Sequence, residues 1–201
     1  MSYGWLLAAH LLGAALLGTA VAALWLVDER IRRASDRATL IRAGRRAEVL
    51  GKRFLMPGVV LLAASGLWLV ARYYGWSFTR IPWLAGMAGL FVFQSVWAHA
   101  VTRPRALRMR RLLGQPCATD RLSPALVQVR DAPRARFGQH LEPLLFALVV
   151  VLGVWRPMDW STVALGCAAA VLAAAAIALY TTAPRPTSSV SRASVEAEGG
   201  T

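Results

Sequence analysis

The sequence predicts an all-α fold: a polytopic transmembrane helix bundle with a four-helix core plus a fifth transmembrane helix. Three observations predict it. Hydrophobic residues make up 57% of the 201 residues and mean hydropathy is +0.48, where soluble domains run about 45–50% apolar. Charged residues are only 16%, and they cluster between long uncharged stretches. Five of those stretches supply the roughly 20 apolar residues that a helix needs to cross the hydrocarbon core.

The predicted spans are 5–27, 54–71, 82–101, 137–155 and 162–182. The first begins at Trp5 and runs into "DERIRR". It has small residues in "GTAVAA" but no positively charged region before it, so an uncleaved span is expected rather than a signal peptide. Residues 28–53 contain no proline and only two glycines, so the first helix is expected to continue beyond the membrane. The second span is "MPGVVLLAASGLWLV" with its flanks. The third ends in "RPRALRMRR", expected as a helical extension that "GQPCATDRLSP" then breaks. The fourth runs through "LEPLLFALVVVLGVW" to Arg156 and Pro157. The fifth is alanine-rich. Residues 1–183 thus form one transmembrane bundle, and the tail 184–201, without an apolar face, is expected to be a disordered cytoplasmic segment.

The connections sort by charge. Residues 28–53 hold nine Lys/Arg and residues 102–137 hold nine more, so 18 of the 23 basic residues lie in two loops on one side. Loops on the other side carry only Arg72, Arg80 and Arg156. Lysine and arginine near span ends mark the cytoplasmic side, which places the N-terminus outside and the C-terminus inside. The same bias accounts for the net charge of +13 without a nucleic-acid partner. The basic run 103–111 is suited to anionic lipid head groups of the bilayer. Cys117 falls in a cytoplasmic loop and Cys167 inside a span, so they are not expected to pair.

Polar groups in a span usually face the bundle or a cavity. His10 lies roughly 7–8 Å in from the outer boundary, at about 1.5 Å per residue. It begins an i+4 ladder with Ala14, Gly18 and Ala22, of the small-residue kind that packs helices in lipid. A second ladder is Gly166, Ala170, Ala174 and Ala178. His99 and His140 lie near the inner boundary, with Glu142 beside His140. The depth difference forbids His10 from sharing a haem with either. His99 and His140 could bracket one, with Arg103 and Arg136 at its propionates. Each residue also has a plainer reading. His99 can mark the water interface, His140 and Glu142 can cap the fourth helix, Arg156 can snorkel, and His10 can hydrogen-bond another helix. No HExxH, GxSxG or P-loop is present, and the span interiors carry no acidic residue for a proton relay.

"AAHLLGAALLG", "MPGVVLLAASGLWLV" and "LEPLLFALVVVLGVWRP" occur in that order. Across residues 5–157 the chain resembles a family of uncharacterised bacterial integral membrane proteins, a domain of unknown function. That family is distantly similar to the CopD membrane domain and the HemJ-type protoporphyrinogen oxidases. The resemblance implies a bacterial inner-membrane location and a haem b or porphyrin, with His10 and Arg156 as the matching site residues. Arg156 stands where the HemJ-type enzymes have lysine, their "LPRL" is missing, and "LEP" replaces their Asn-Glu-x-Pro. Two function classes follow: a haem- or porphyrin-associated redox membrane protein, or a cofactor-free structural or accessory subunit that works with a membrane-protein partner or as a homo-oligomer.

Overall fold

The computed structural model describes residues 3–115 and 121–181. The tail 184–201 and the loop residues Pro116 and Cys117 lie outside the described residues. The regular elements among the described residues are helices: α1 (Tyr3–Arg33), α2 (Arg37–Leu50), α3 (Met56–Tyr73), α4 (Pro82–Trp97), α5 (Arg103–Gly114), α6 (Pro124–Arg130), α7 (Pro133–Trp155) and α8 (Trp160–Tyr180). Among the described residues, five helical stretches are long and apolar enough to cross a membrane: Tyr3–Arg33, Arg37–Tyr73, Pro82–Gly114, Pro124–Trp155, which includes the short break at Asp131–Ala132, and Trp160–Tyr180.

Two of these stretches pass through a widened turn. In Gly51–Leu55 the Met56 N–H bonds to the Gly51 carbonyl, five residues back, and in Ala98–Thr102 the Arg103 N–H bonds to Ala98 in the same way. Each turn precedes a proline, Pro57 or Pro104. A proline inside a helix has no N–H to donate and its ring presses on the carbonyl four residues earlier. A π-turn just upstream relieves that pressure while keeping the helix continuous.

The first helix continues beyond its predicted span, as expected, but only as far as Arg33 rather than through residues 28–53. The helix stops at Arg33, and Asp36 starts a new one by accepting the Thr39 N–H at 2.7 Å. The segment that follows belongs to the second span, not the first. Thr39's N–H holds the Asp36 carboxyl below its usual range. The cap therefore contributes above the ordinary aspartate range and is lost as pH falls through the lowered value.

α1 and α3 form an antiparallel pair in strict register. Tyr3 meets Tyr73 edge to face with centroids 5.1 Å apart, and His10 meets Ser65. A Cβ added at Gly13 would lie 2.7 Å from the Leu62 nitrogen, and one added at Gly58 would lie 2.8 Å from the Leu17 nitrogen. The two backbones therefore touch at both glycines. The buried seam of α1 is Leu6, Gly13, Leu17, Ala20, Val27 and Ile31, an alternation of three and four residues rather than the i+4 ladder. Steps of four drift around the helix by about 40° each at 3.6 residues per turn. Gly18 has accordingly turned away to meet the Phe146 ring of α7.

α7 is the central helix, in contact with α1, α4 and α8. Its face toward α8 buries Leu141 and Leu145 against Ala170 and Ala174, and Gly166 seats Leu148. The Gly166–Ala170–Ala174 part of the second ladder thus packs as small residues allow. α8 also touches α4, where Val163 fills the space above Gly86. At the basic end a second apolar cluster joins α1, α2, α5 and α6 through Val27, Ile31, Leu40, Met109, Leu126 and Val129. Arginines tie this cap to carbonyls of neighbouring segments: Arg37 to Leu113 and Gln115, and Arg130 to Ala34 at 2.7 Å.

Candidate functional site

Two polar regions stand out, one at each end of the bundle. At the end away from the basic loops, the α1–α3 seam places His10 over Gly66, whose missing side chain leaves room for the ring. The Ser65 hydroxyl donates to the Leu61 carbonyl at 2.5 Å. With its one proton used there, Ser65 Oγ accepts from His10 Nδ1, 3.2 Å away. In this arrangement the tautomer has the proton on Nδ1, and Nε2 presents its lone pair. Histidines that ligate metals are commonly oriented by such a bond at the other ring nitrogen.

Arg156 lies at the same end on α7. It is the one non-glycine residue with positive φ among those described, at 54°. Pro157 disfavours the right-handed helical conformation at the residue before it, so Arg156 closes the helix in the left-handed region, its N–H bonded to Leu152 at 2.9 Å. The side chain folds back: Nε donates to the Gly153 carbonyl at 3.3 Å and the guanidinium covers the Trp83 ring at 5.4 Å. Arg156 is held by α4 and α7, and His10 by α3. No contact joins the two.

At the basic end, His99 sits in the π-turn with Nδ1 2.8 Å from its own helix's Ser95 carbonyl, and it opens outward in a surface hollow with Ser95, Val96 and Ala100. His140 is buried at 5% exposure and faces α1, where Trp25 Nε1 donates to its Nδ1 at 3.5 Å. The structure does not bring His99 and His140 together as a facing pair. Glu142 accepts from Thr102 Oγ1 at 2.6 Å, so it bridges α7 to the end of α4 rather than capping its own helix, which starts at Pro133.

Around them runs an ionic belt that the spacing of charges did not announce. Arg105 joins Asp28 of α1 at 3.2 Å and also reaches the Arg130 carbonyl. Arg130 pairs with Asp131 at 2.9 Å, Arg136 approaches the same carboxylate, and Arg32 bonds Glu29. Sequence reading also missed Ser65, Trp25 and Gln139. Ser65 was findable once Gly13 and Gly58 were aligned across an antiparallel pair. Trp25 and Gln139 left no comparable mark.

The five apolar helices and their packing define a multi-pass integral membrane protein, whose outer faces contact the lipid bilayer. Residues 5–157 match the family described as "Predicted integral membrane protein (DUF2269)". The match spans more than half of the chain, and the protein belongs to that family. No curated protein and no solved structure matches it.

Proposed function

We propose that this membrane protein binds a haem or related porphyrin at the end away from its basic loops, with His10 Nε2 as an axial ligand. The observation that carries the reading is the Leu61–Ser65–His10 hydrogen-bond chain, which leaves a pre-oriented lone pair on an imidazole at a helix seam. Arg156 keeps its charge at the surface of the same end, where its fork suits a porphyrin carboxylate once it leaves Trp83. A bound haem would supply one-electron chemistry. This chain's residues would hold and orient it.

Three variants test the reading by haem titration of the purified protein. His10→Ala is expected to abolish axial ligation. Ser65→Ala, which releases the tautomer, is expected to weaken binding by about 10–100-fold, as losses behind a metal ligand do. Arg156→Ala is expected to weaken it less. Equal binding by wild type and His10→Ala, or none by either, would favour the accessory-subunit reading.

The inferred orientation puts the basic loops in the cytoplasm, supported by their 18 Lys/Arg and the preference of such residues for that side. A reporter fused after Arg45 should then report cytoplasm, and one at Ser77 should report the outside. A cytoplasmic result at Ser77 would reverse the assignment.

A further inference from the structure

At the basic end, α1, α5 and α7 converge on a cleft lined by Asp28, Thr102, Arg105, Arg134, Gln139 and Glu142, with Ala135 and Gly138 on its wall. The α7 contributors Ala135, Gly138, Gln139 and Glu142 fall at the i, i+3, i+4, i+7 positions of one helix face. Four features of this cleft are unexplained by the fold. Gln139 is buried at 8% exposure, yet neither its amide oxygen nor its amide nitrogen has a partner. Buried polar groups are nearly always satisfied, so such an amide calls for a ligand or ordered water. Glu142 is bonded by the Thr102 hydroxyl but by no cation among the described residues. Arg105 Nε is buried without an acceptor. Pro143 has no N–H to offer the Gln139 carbonyl, which leaves a further acceptor on that turn.

These demands are mixed in sign. Glu142 and the two Gln139 oxygens want donors, while Gln139 Nε2, Arg105 Nε and the exposed Arg134 want acceptors. Two carboxylates and two guanidiniums balance around the cleft, so its charge favours a zwitterion over an anion or a cation. The free space in the cleft is about 40 Å³, enough for one group of the size of a water or an ammonium, whose share of liquid volume is roughly 30 Å³ for water. Arg134 stands at the mouth. The depth is that of lipid head groups: Thr102 marks where the apolar stretch of α4 ends, Glu142 begins the apolar run of α7, and Trp25 and Trp97 sit at this level, as aromatic side chains do at a membrane boundary.

We propose that this cleft binds the zwitterionic head group of an aminophospholipid, its ammonium between Glu142 and Gln139 and its phosphate at Arg134. The site is separate from the His10 region, at the opposite end of the bundle. A primary ammonium supplies three donors to Glu142 and the Gln139 oxygens. The phosphate supplies acceptors to Arg134 and, toward the interior, to Gln139 Nε2 and Arg105. The arginine pair does not repel the ammonium outright, because Asp28 already neutralises Arg105.

The test uses the full-length protein in detergent micelles, read by thermal unfolding and by mass analysis of lipid retained on purification. Phosphatidylethanolamine should raise the melting temperature. Phosphatidylcholine, whose ammonium has no N–H, and phosphatidylglycerol, which has no ammonium, should not. Glu142→Gln and Arg134→Ala should each raise the half-saturating phosphatidylethanolamine concentration by about tenfold or more, as expected for a hydrogen bond to a charged group. If Glu142→Gln does not fold, the exposed Arg134→Ala and the three-lipid comparison in wild type still decide. Equal responses to all three lipids would mean that the cleft holds only water, and would overturn the proposal. Soluble O-phosphoethanolamine reproducing the full shift would overturn the lipid assignment in favour of a soluble zwitterion.

Discussion

Replacing Gly13 with leucine is expected to separate α1 from α3 and to prevent recovery of folded protein. The reason is that nothing flexible stands opposite. The Cβ alone would lie 2.7 Å from the Leu62 nitrogen and 3.0 Å from its Cα. Overpacking against side chains costs about 1–3 kcal/mol when rotamers can give way. Here the backbone of a helix must move, and a Cβ at Gly58 would likewise lie 2.8 Å from the Leu17 nitrogen in the same seam, so tilting to relieve one contact tightens the other. Gly13→Ala and Gly58→Ala should each lower thermal stability clearly, and both together should approach the leucine variant. Gly44→Ala is the control: nothing lies within 4 Å of its added Cβ, and in mid-helix alanine should stabilise by about 0.5–1 kcal/mol. Monodispersity on gel filtration and the melting temperature in detergent are the readouts. Normal folding of Gly13→Leu would show that the two helices are not in backbone contact.

The second large effect is expected from Arg105→Ala. Arg105 connects three segments, with Nη1 on Asp28 at 3.2 Å and Nη2 reaching the Arg130 carbonyl at 3.4 Å. Truncation leaves the Asp28 carboxylate without its cation. Breaking a fully buried pair costs about 3–5 kcal/mol. These side chains are 16% and 27% exposed, so we expect about 2 kcal/mol, reduced because water screens part of the charge. Arg105→Lys should recover little, because a single ammonium cannot reproduce the guanidinium's divided reach. The double variant Arg105→Ala/Asp28→Asn should recover part of the loss, since the stranded charge is then removed. A double-mutant cycle measures that coupling. Additive losses in the cycle would show that the pair does not interact.

The spans were legible because hydrocarbon imposes one requirement on every residue, and a run of 20 apolar residues satisfies it regardless of what packs beside it. The start of α2 was legible only in part. Asp36 is a good cap residue, but helix-forming composition on both sides masked the break. The His10 face could not be taken from an i+4 ladder, because the true seam alternates three and four residues and is set by where Gly13 and Gly58 let the backbones meet. His140 and Glu142 looked like helix caps only while α7 was taken to begin near Phe137. Once Pro133 starts the helix, both lie two turns inside it, and their partners Trp25 and Thr102 come from other helices. The cleft was invisible in the sequence, since Gln139 differs from an ordinary interfacial glutamine only in what surrounds it.

Ligation of haem by His10 is tested by the visible absorption spectrum of the purified protein during haem titration, compared with His10→Ala of equal monodispersity. A haem held by His10 would give a saturable Soret band with imidazole-ligated character in the wild type and lose it in the variant. A wild-type protein that leaves free haem's spectrum unchanged, or a variant that shifts it equally, would contradict the assignment of His10 as a ligand.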